Sequence, residues 1–302
     1  MQPLPSEALH LPYEPGPFRM AMGLTATTAL LEIDDRYPGE MTERRHLLAT
    51  RHPEVFATTP GSDAARAETL TLVANHLTTT HPTWFTRHGH TLRNHLTNEE
   101  WSLANPPHDP LELAGRLIQE DLCLIDVAGP APILSAAILC APSRWRLAEK
   151  IGRPLDEIHT PVPLYADRLA NPVDRFMHAL RPGRIAQRLN WSIVDDGALF
   201  QLGGKFRTRA DPTITPDHLH LRVERQTLAR LPETPTVLFT IRVHSYPLAR
   251  ITAVPGAAAT LAAAVRALPD SLAAYKSLPA FRDTLLAHLT STGQAAGTEL
   301  PK

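Results

Sequence analysis

His218-Leu219-His220-Leu221-Arg222-Val223-Glu224-Arg225-Gln226 alternates apolar and polar side chains. Leu219, Leu221 and Val223 fall on one face and His220, Arg222, Glu224 and Gln226 on the other, the period-two pattern of a β-strand. Working outward, Val237, Phe239, Ile241 and Val243 repeat the alternation downstream, and Leu189–Val194 supplies a third strand upstream. Further back, Ile133–Cys140 is a short apolar run stopped by Pro142, consistent with a buried strand.

Helical periodicity surrounds these strands. Met41–Arg51 carries Leu47 and Leu48 and ends at Pro53, and Ala64–Leu77 spaces Ala67, Leu70, Val73, Ala74 and Leu77 along one face. Leu111–Asp121 is expected to be an amphipathic helix with Pro110 in its first turn. Ser143 is expected to cap a helix Arg144–Ile151 that Gly152 and Pro154 terminate. Val173, Phe176, Met177 and Leu180 share a face of a helix over 173–180, and from Gly256 to about Leu289 the chain is helical again, broken at Pro269 and Pro279. Helices, a strand, helices, three strands and helices describe an α+β domain, an antiparallel sheet with helices gathered around it. The βαβ alternation, GxGxxG and GxxxxGK[ST] of nucleotide-binding folds are absent from the sequence.

Composition narrows the class. The 302 residues are 43% hydrophobic and 20% charged, with a net charge of -1, so an ordinary globular chain without a basic excess for nucleic acid is expected. The longest apolar run, Ala136–Ala141 with its flanks, is far short of the roughly 20 residues a spanning helix needs. Met1–Pro17 has five prolines and two acidic residues but no basic or apolar region of a signal peptide, and a cytoplasmic location is expected. Cys123 and Cys140 form no CxxC pair, which argues against a disulfide scaffold or a cysteine zinc site. The 29 prolines are scattered, marking loop and helix boundaries.

Fifteen histidines include no HExxH. His88 and His90 sit in a polar loop, and His218 and His220 are read on one strand face, each pair lacking a third ligand nearby in sequence. GxSxG is absent, and the carboxylate pairs Asp34-Asp35, Glu99-Glu100 and Asp195-Asp196 are adjacent residues whose side chains diverge. Three stretches remain. In Ile158-His159-Thr160-Pro161-Val162-Pro163 the two prolines stiffen the backbone that carries His159. A fixed ring direction suits an axial ligand, though the pattern alone leans to a loop histidine bonded to a carbonyl. In Arg188-Leu189-Asn190-Trp191-Ser192-Ile193, Trp191 and Ile193 face one way while Asn190 and Ser192 face the other, either an ordinary strand or the wall of a polar pocket. The row Arg222, Glu224 and Gln226 reads as a solvated face or as a pocket wall, and the pattern alone leans to solvent.

Taken in order, these stretches carry a resemblance. Ile151-Gly152-Arg153-Pro154-Leu155 leading to Ile158–Pro163, Asn190–Ile193, and Leu221–Leu228 with Leu231-Pro232 resemble the heme-dependent oxidative N-demethylase family. Weaker similarity covers Met22-Gly23-Leu24, Tyr37, Ser143-Arg144-Trp145 and Tyr275-Lys276, so the likeness spans about residues 20 to 290. His244, ahead of Ser245-Tyr246, is less typical of the family.

The resemblance implies a PAS-like fold, an antiparallel sheet with heme b held between sheet and helix. It implies one domain over 1–302: a core at about 126–250 with helical extensions at about 20–125 and 256–290. It implies His159 as the iron ligand, with Pro161, Asn190, Trp191 and Arg225 around the heme. From their shared strand face, Glu224, Arg222 and Gln226 are expected to form its catalytic wall, Glu224 to hold a protonated amine and Arg222 to orient that carboxylate or polarise oxygen. The implied activity is oxidation of an N-methyl group of a small secondary amine, dimethylamine-like, by O2, releasing formaldehyde and the smaller amine. Electrons come from NADPH through separate subunits carrying FMN and a 2Fe-2S cluster, for which two cysteines are too few here. The rival from another class is a non-catalytic heme sensor of gas or redox state, because a fold does not fix a function.

Overall fold

The alternating stretch becomes an interior strand of the sheet. A computed structural model describes residues 2–296. In chain order the strands are β1 (Thr25–Thr27), β2 (Phe56–Thr58), β3 (Phe85–His88), β4 (Thr91–Asn94), β5 (Glu99–Ser102), β6 (Asp121–Asp126), β7 (Ile133–Ile138), β8 (Ile185–Val194), β9 (His220–Arg230) and β10 (Thr236–Pro247). Seven of them form one sheet in the order β1-β8-β9-β10-β6-β7-β2, every neighbouring pair antiparallel, and β3–β5 form a small separate sheet.

The helices are α1 (Tyr37–Thr50), α2 (His52–Val55), α3 (Asp63–Thr80), α4 (Pro110–Gly115), α5 (Leu155–Ile158), α6 (Tyr165–Arg168), α7 (Ala170–Ala179), α8 (Leu248–Thr252), α9 (Ala257–Ala267), α10 (Asp270–Tyr275) and α11 (Arg282–Ala296). The α+β reading therefore holds.

Both faces of the sheet are covered. Leu221 and Val223 of β9 are fully buried against the C-terminal helices, packing with Leu261, Val265 and Leu285. Ala229 of β9, Leu238 of β10 and Leu122 and Leu124 of β6 extend this face into a second core built on α1, α3 and α4. Each such large aliphatic side chain contributes roughly 1.5–3 kcal/mol on burial. On the opposite face, Leu228, Ile241, Val243, Cys123 and Ile125 pack with Leu155 of α5 and Met177 of α7. The face that alternation assigns to polar residues is thus not open to water: Arg222 is 1% exposed and Gln226 9%.

The structure departs from the expected elements in several places. The helix expected over Leu111–Asp121 stops at Gly115, and Asp121 opens β6. A side-chain carbon on Gly115 would lie 2.5 Å from Ile138 Cδ1, so glycine is what lets α4 approach β7. Both faces of β6 are buried, so Leu122-Cys123-Leu124-Ile125 shows no alternation to mark it as a strand. The helix expected over Arg144–Ile151 shrinks to one 3-10 turn, Leu147–Glu149, because Arg144 adopts a left-handed backbone with φ of 60°. Ser143 caps nothing there; its hydroxyl goes elsewhere. Residues before 126 are not wholly helical either, since they supply β1 to β5 and most of β6. His218 lies in a 3-10 turn ahead of β9, so it does not share a strand face with His220.

Candidate functional site

Pairing of β8 with β9 sets Arg188 opposite Gln226, Asn190 opposite Glu224 and Ser192 opposite Arg222. Directly opposed residues on antiparallel strands point to the same face, so these six polar side chains form one patch facing α5–α7. The period-two register alone decides this.

Glu224 is the hub of the patch. The Ser143 hydroxyl donates to its Oε1, while Asn190 Nδ2 donates to Oε2 at 3.2 Å and Gln226 Nε2 donates to Oε2 at 2.7 Å. Burial pushes the pKa of this carboxyl up. Hydrogen bonds from Ser143 and Asn190, the Arg222 charge and the Gln226 bond more than offset that, and the net shift is downward. Glu224 is therefore a carboxylate at neutral pH. Its three donors are uncharged, so its negative charge is solvated by dipoles without being cancelled by a bonded cation.

Arg222 reaches Glu224 through Ser143. Its Nε donates to Ser143 Oγ at 3.0 Å, and its Nη atoms donate to the carbonyls of Ala198 at 3.1 Å, Ala141 at 2.9 Å and Leu199 at 2.8 Å. Burial pulls its pKa down to about 10, still charged at neutral pH. With its donors turned to protein oxygens, Arg222 ties the 141–143 and 198–199 loops together and aims Ser143 at Glu224.

His159 closes the short α5. Its Nδ1 lies 2.7 Å from the Leu155 carbonyl, four residues back, and its ring stacks on Tyr165 with centroids 4.4 Å apart and planes 12° apart. Burial lowers its pKa to about 4 against the raising effect of that carbonyl, and the charges of Lys150, Arg188 and Lys205 lower it further. The neutral ring must then carry its proton on Nδ1 to donate to Leu155, which leaves Nε2 as a lone-pair donor. Pro161 is exposed, and its contribution is the turn in which Val162 N–H donates to the His159 carbonyl at 2.8 Å.

Two expected pocket residues lie elsewhere. Arg225 is one residue out of phase with Glu224 and so projects from the other face, where its Nε meets Glu32 Oε1 at 2.9 Å. Trp191 likewise turns away from Asn190, packing with the C-terminal core and edge-on to Tyr13. Other residues join the patch unannounced. Lys276 is held by the Trp191 carbonyl at 2.5 Å and lowered by burial to about 8, and Lys205 meets Tyr275 Oη at 2.9 Å. Burial also lowers Arg188 and Lys205 against the raising effect of Glu224. Buried Arg188 Nε and Tyr165 Oη have no hydrogen-bond partner. Of these, Arg188, Ser143 and Tyr275-Lys276 lay in stretches the sequence brought forward, and no pattern marked their role.

Residues 22–286 match the family described as "Haem-dependent oxidative N-demethylase, alpha subunit-like". The chain belongs to that family. Its heme-dependent oxidative N-demethylase name gives the geometry a test. A histidine-ligated heme needs a neutral imidazole with a free nitrogen, cations for two propionates and an apolar wall. His159 Nε2 meets the first need, and Arg188, Lys205 and Lys276 beside the single carboxylate Glu224 meet the second. Half-buried Ile158, Val173, Phe176, Leu180 and Phe239 meet the third. The residues fit the group.

A separate cleft of about 720 Å³ is lined by Asp35, Glu40, Arg44, Arg51, Phe200 and Arg242 among others, and includes neither His159 nor Glu224. Its principal charges are already paired: Arg242 with Asp34 and Glu40 at 2.7 Å each, and Arg44 with Asp121 at 3.1 Å.

Proposed function

We propose that this chain is a heme b-binding catalytic subunit that oxidatively removes an N-methyl group from a small secondary amine of the dimethylamine type. The products are formaldehyde and the smaller amine. The reaction consumes O2 and two electrons delivered by separate reductase subunits that carry the NADPH, FMN and 2Fe-2S chemistry, in the cytoplasm. The observation that carries the reading is the half-buried, ionised Glu224 on the patch beside His159.

Heme, when bound, supplies the redox chemistry that oxidises the N-methyl carbon. His159 Nε2 would hold the iron, with the Leu155 carbonyl fixing the ring through Nδ1–H as a backbone partner does for a ligating imidazole. Arg188, Lys205 and Lys276 would meet the propionates. An ionised carboxylate offers about four acceptor sites, and Ser143, Asn190 and Gln226 use three on Glu224. The remaining one suits a single charged N–H. A secondary amine is protonated at neutral pH and loses hydration on entering an apolar site, a cost that a carboxylate offsets. Arg222, through Ser143, holds that carboxylate in place. The domain reading is a PAS-like core at about 126–250 in a single domain over 1–302. The fold supports it through an antiparallel sheet with α5–α7 on the polar face, although β6 begins at Asp121 and β1 and β2 also join the sheet. Among the described residues no helix is long and apolar enough to cross a membrane.

Heme-loaded protein, supplied with NADPH and a competent reductase, is expected to form formaldehyde in proportion to amine across a panel of methylated amines. Oxygen binding without amine-dependent NADPH consumption would refute turnover and leave the heme-sensor reading. Protein that stays colourless after heme is added would refute both.

A further inference from the structure

On the face of the sheet opposite Glu224, three donor atoms converge. His244 of β10 pairs in register with Val223, and its Nε2 lies 3.3 Å from Glu32 Oε2. His10, on the N-terminal segment, places its Nε2 3.6 Å from the same oxygen, and the three donor atoms all lie within 4.8 Å of one another. Among the described residues this is the one group of three or more such side chains with metal-ligand proximity. A 3.6 Å separation is too long for a hydrogen bond, and His10 Nε2 is buried without a partner. It is suited to two ligands sharing an ion. With metal–donor distances of 2.0–2.1 Å, the edge of a tetrahedron is about 3.4 Å.

The atoms behind the three donors are arranged to match. His244 Nδ1 meets Glu7 Oε1 at 3.1 Å, the carboxylate–imidazole contact that fixes a ligating ring's tautomer and leaves Nε2 as the donor. Glu7 is itself held by Arg250 through its other oxygen. Glu32 Oε1 is taken by Arg225 at 2.9 Å, so Oε2 is the oxygen turned toward the two imidazoles. His10 reaches the site because its backbone N–H donates to Tyr246 Oη at 3.3 Å, and that hydroxyl donates to the Ala8 carbonyl at 2.6 Å. His10 and Glu32 keep 20% and 24% of their side chains exposed, which leaves an approach for an ion and a fourth ligand such as water.

We propose that His10 Nε2, His244 Nε2 and Glu32 Oε2 bind a divalent transition ion of the zinc class, which fastens the N-terminal segment to β10. Glu7 and His10 precede the family match at residue 22, so this chain completes the site with residues outside the matched region. The site stands apart from the heme reading, and its test has its own readout.

Full-length, chelator-treated protein is titrated with Zn2+ against a chromophoric chelator, with and without bound heme. One equivalent is expected to bind tightly, and to slow proteolysis within the first 20 or so residues. His10→Ala, at a partly exposed position on the N-terminal segment, is expected to weaken affinity at least about 100-fold while leaving heme content unchanged. Glu7→Gln is expected to weaken it about 10- to 100-fold, the usual cost of losing a partner behind a ligand. His88→Ala, on an exposed hairpin, is expected to change nothing. Absence of tight Zn2+ binding, or affinity and stoichiometry that survive His10→Ala, would overturn the proposal and leave His244 as an imidazolium bridging Glu7 and Glu32.

Discussion

Glu224→Gln separates charge from shape at the centre of the patch. The amide can keep the local network: its oxygen accepts from Asn190 and Gln226 as Oε2 does now, and its NH2 donates to Ser143 Oγ, reversing the present bond. Arg222 still donates to Ser143. Heme content and fold should therefore survive. What disappears is the charge-assisted bond to a substrate ammonium, worth about 1.5–3 kcal/mol. At 1.4 kcal/mol per tenfold, that is a fall of about 10- to 150-fold in kcat/KM. The assay is formaldehyde formation over a range of amine concentrations, with heme quantified in each sample. A pH series adds a second check. The folded-state pKa of Glu224 is depressed, so its stabilising contribution is present at neutral pH and lost as pH falls through that pKa. Glu224→Gln should flatten this part of the acid limb of stability. A variant with full heme and the parent kcat/KM would refute the assignment of Glu224 as the amine anchor and turn attention to Asn190.

His159→Ala should abolish stable heme binding or change the iron's ligation spectrum, and a native Soret band in the variant would remove His159 as ligand. The lowered pKa of His159 means the unfolded chain binds its proton more readily. Stability from this residue should thus be lost as pH falls from about 6.5 toward about 4, a difference between parent and His159→Ala that thermal melts of heme-free protein can read. Arg222→Met strips the buried carbonyls of Ala141, Ala198 and Leu199 of their donor, and should cost about 3 kcal/mol or more by denaturant titration. An unchanged denaturation midpoint would show that the clamp is dispensable. Arg225→Met should destabilise the fold by breaking the Glu32 pair while leaving the heme spectrum intact, and a shifted Soret band would return Arg225 to the heme pocket.

Periodicity is local, and it carried the parts of this protein that local patterns can encode. The alternation of Leu219–Gln226 and of Val237–Val243 determined two strands and their faces, and the spacing of Val173, Phe176, Met177 and Leu180 determined α7. Within each strand it also determined that Asn190 lies opposite Trp191 and Ile193, and Arg222, Glu224 and Gln226 opposite Val223, while the pairing of β8 with β9 decided that the two polar rows share a face. The strand β6 was illegible because burial on both faces erases alternation. Whether a polar row faces water or a wall depends on what the rest of the chain lays over it. Only the packing of α5–α7 and the 141–143 and 198–199 loops buried Arg222 and half-buried Glu224. Ser143 illustrates the same limit: as a sequence it is a helix cap, but Arg144 turns left-handed and Glu224, 81 residues away, takes the hydroxyl. Arg225 shows the reverse, a cation inside a recognisable motif whose partner, Glu32, was set by register on the far face. Contacts between residues so distant in the chain leave no mark on either local stretch, because each is chosen by the partner that tertiary packing delivers.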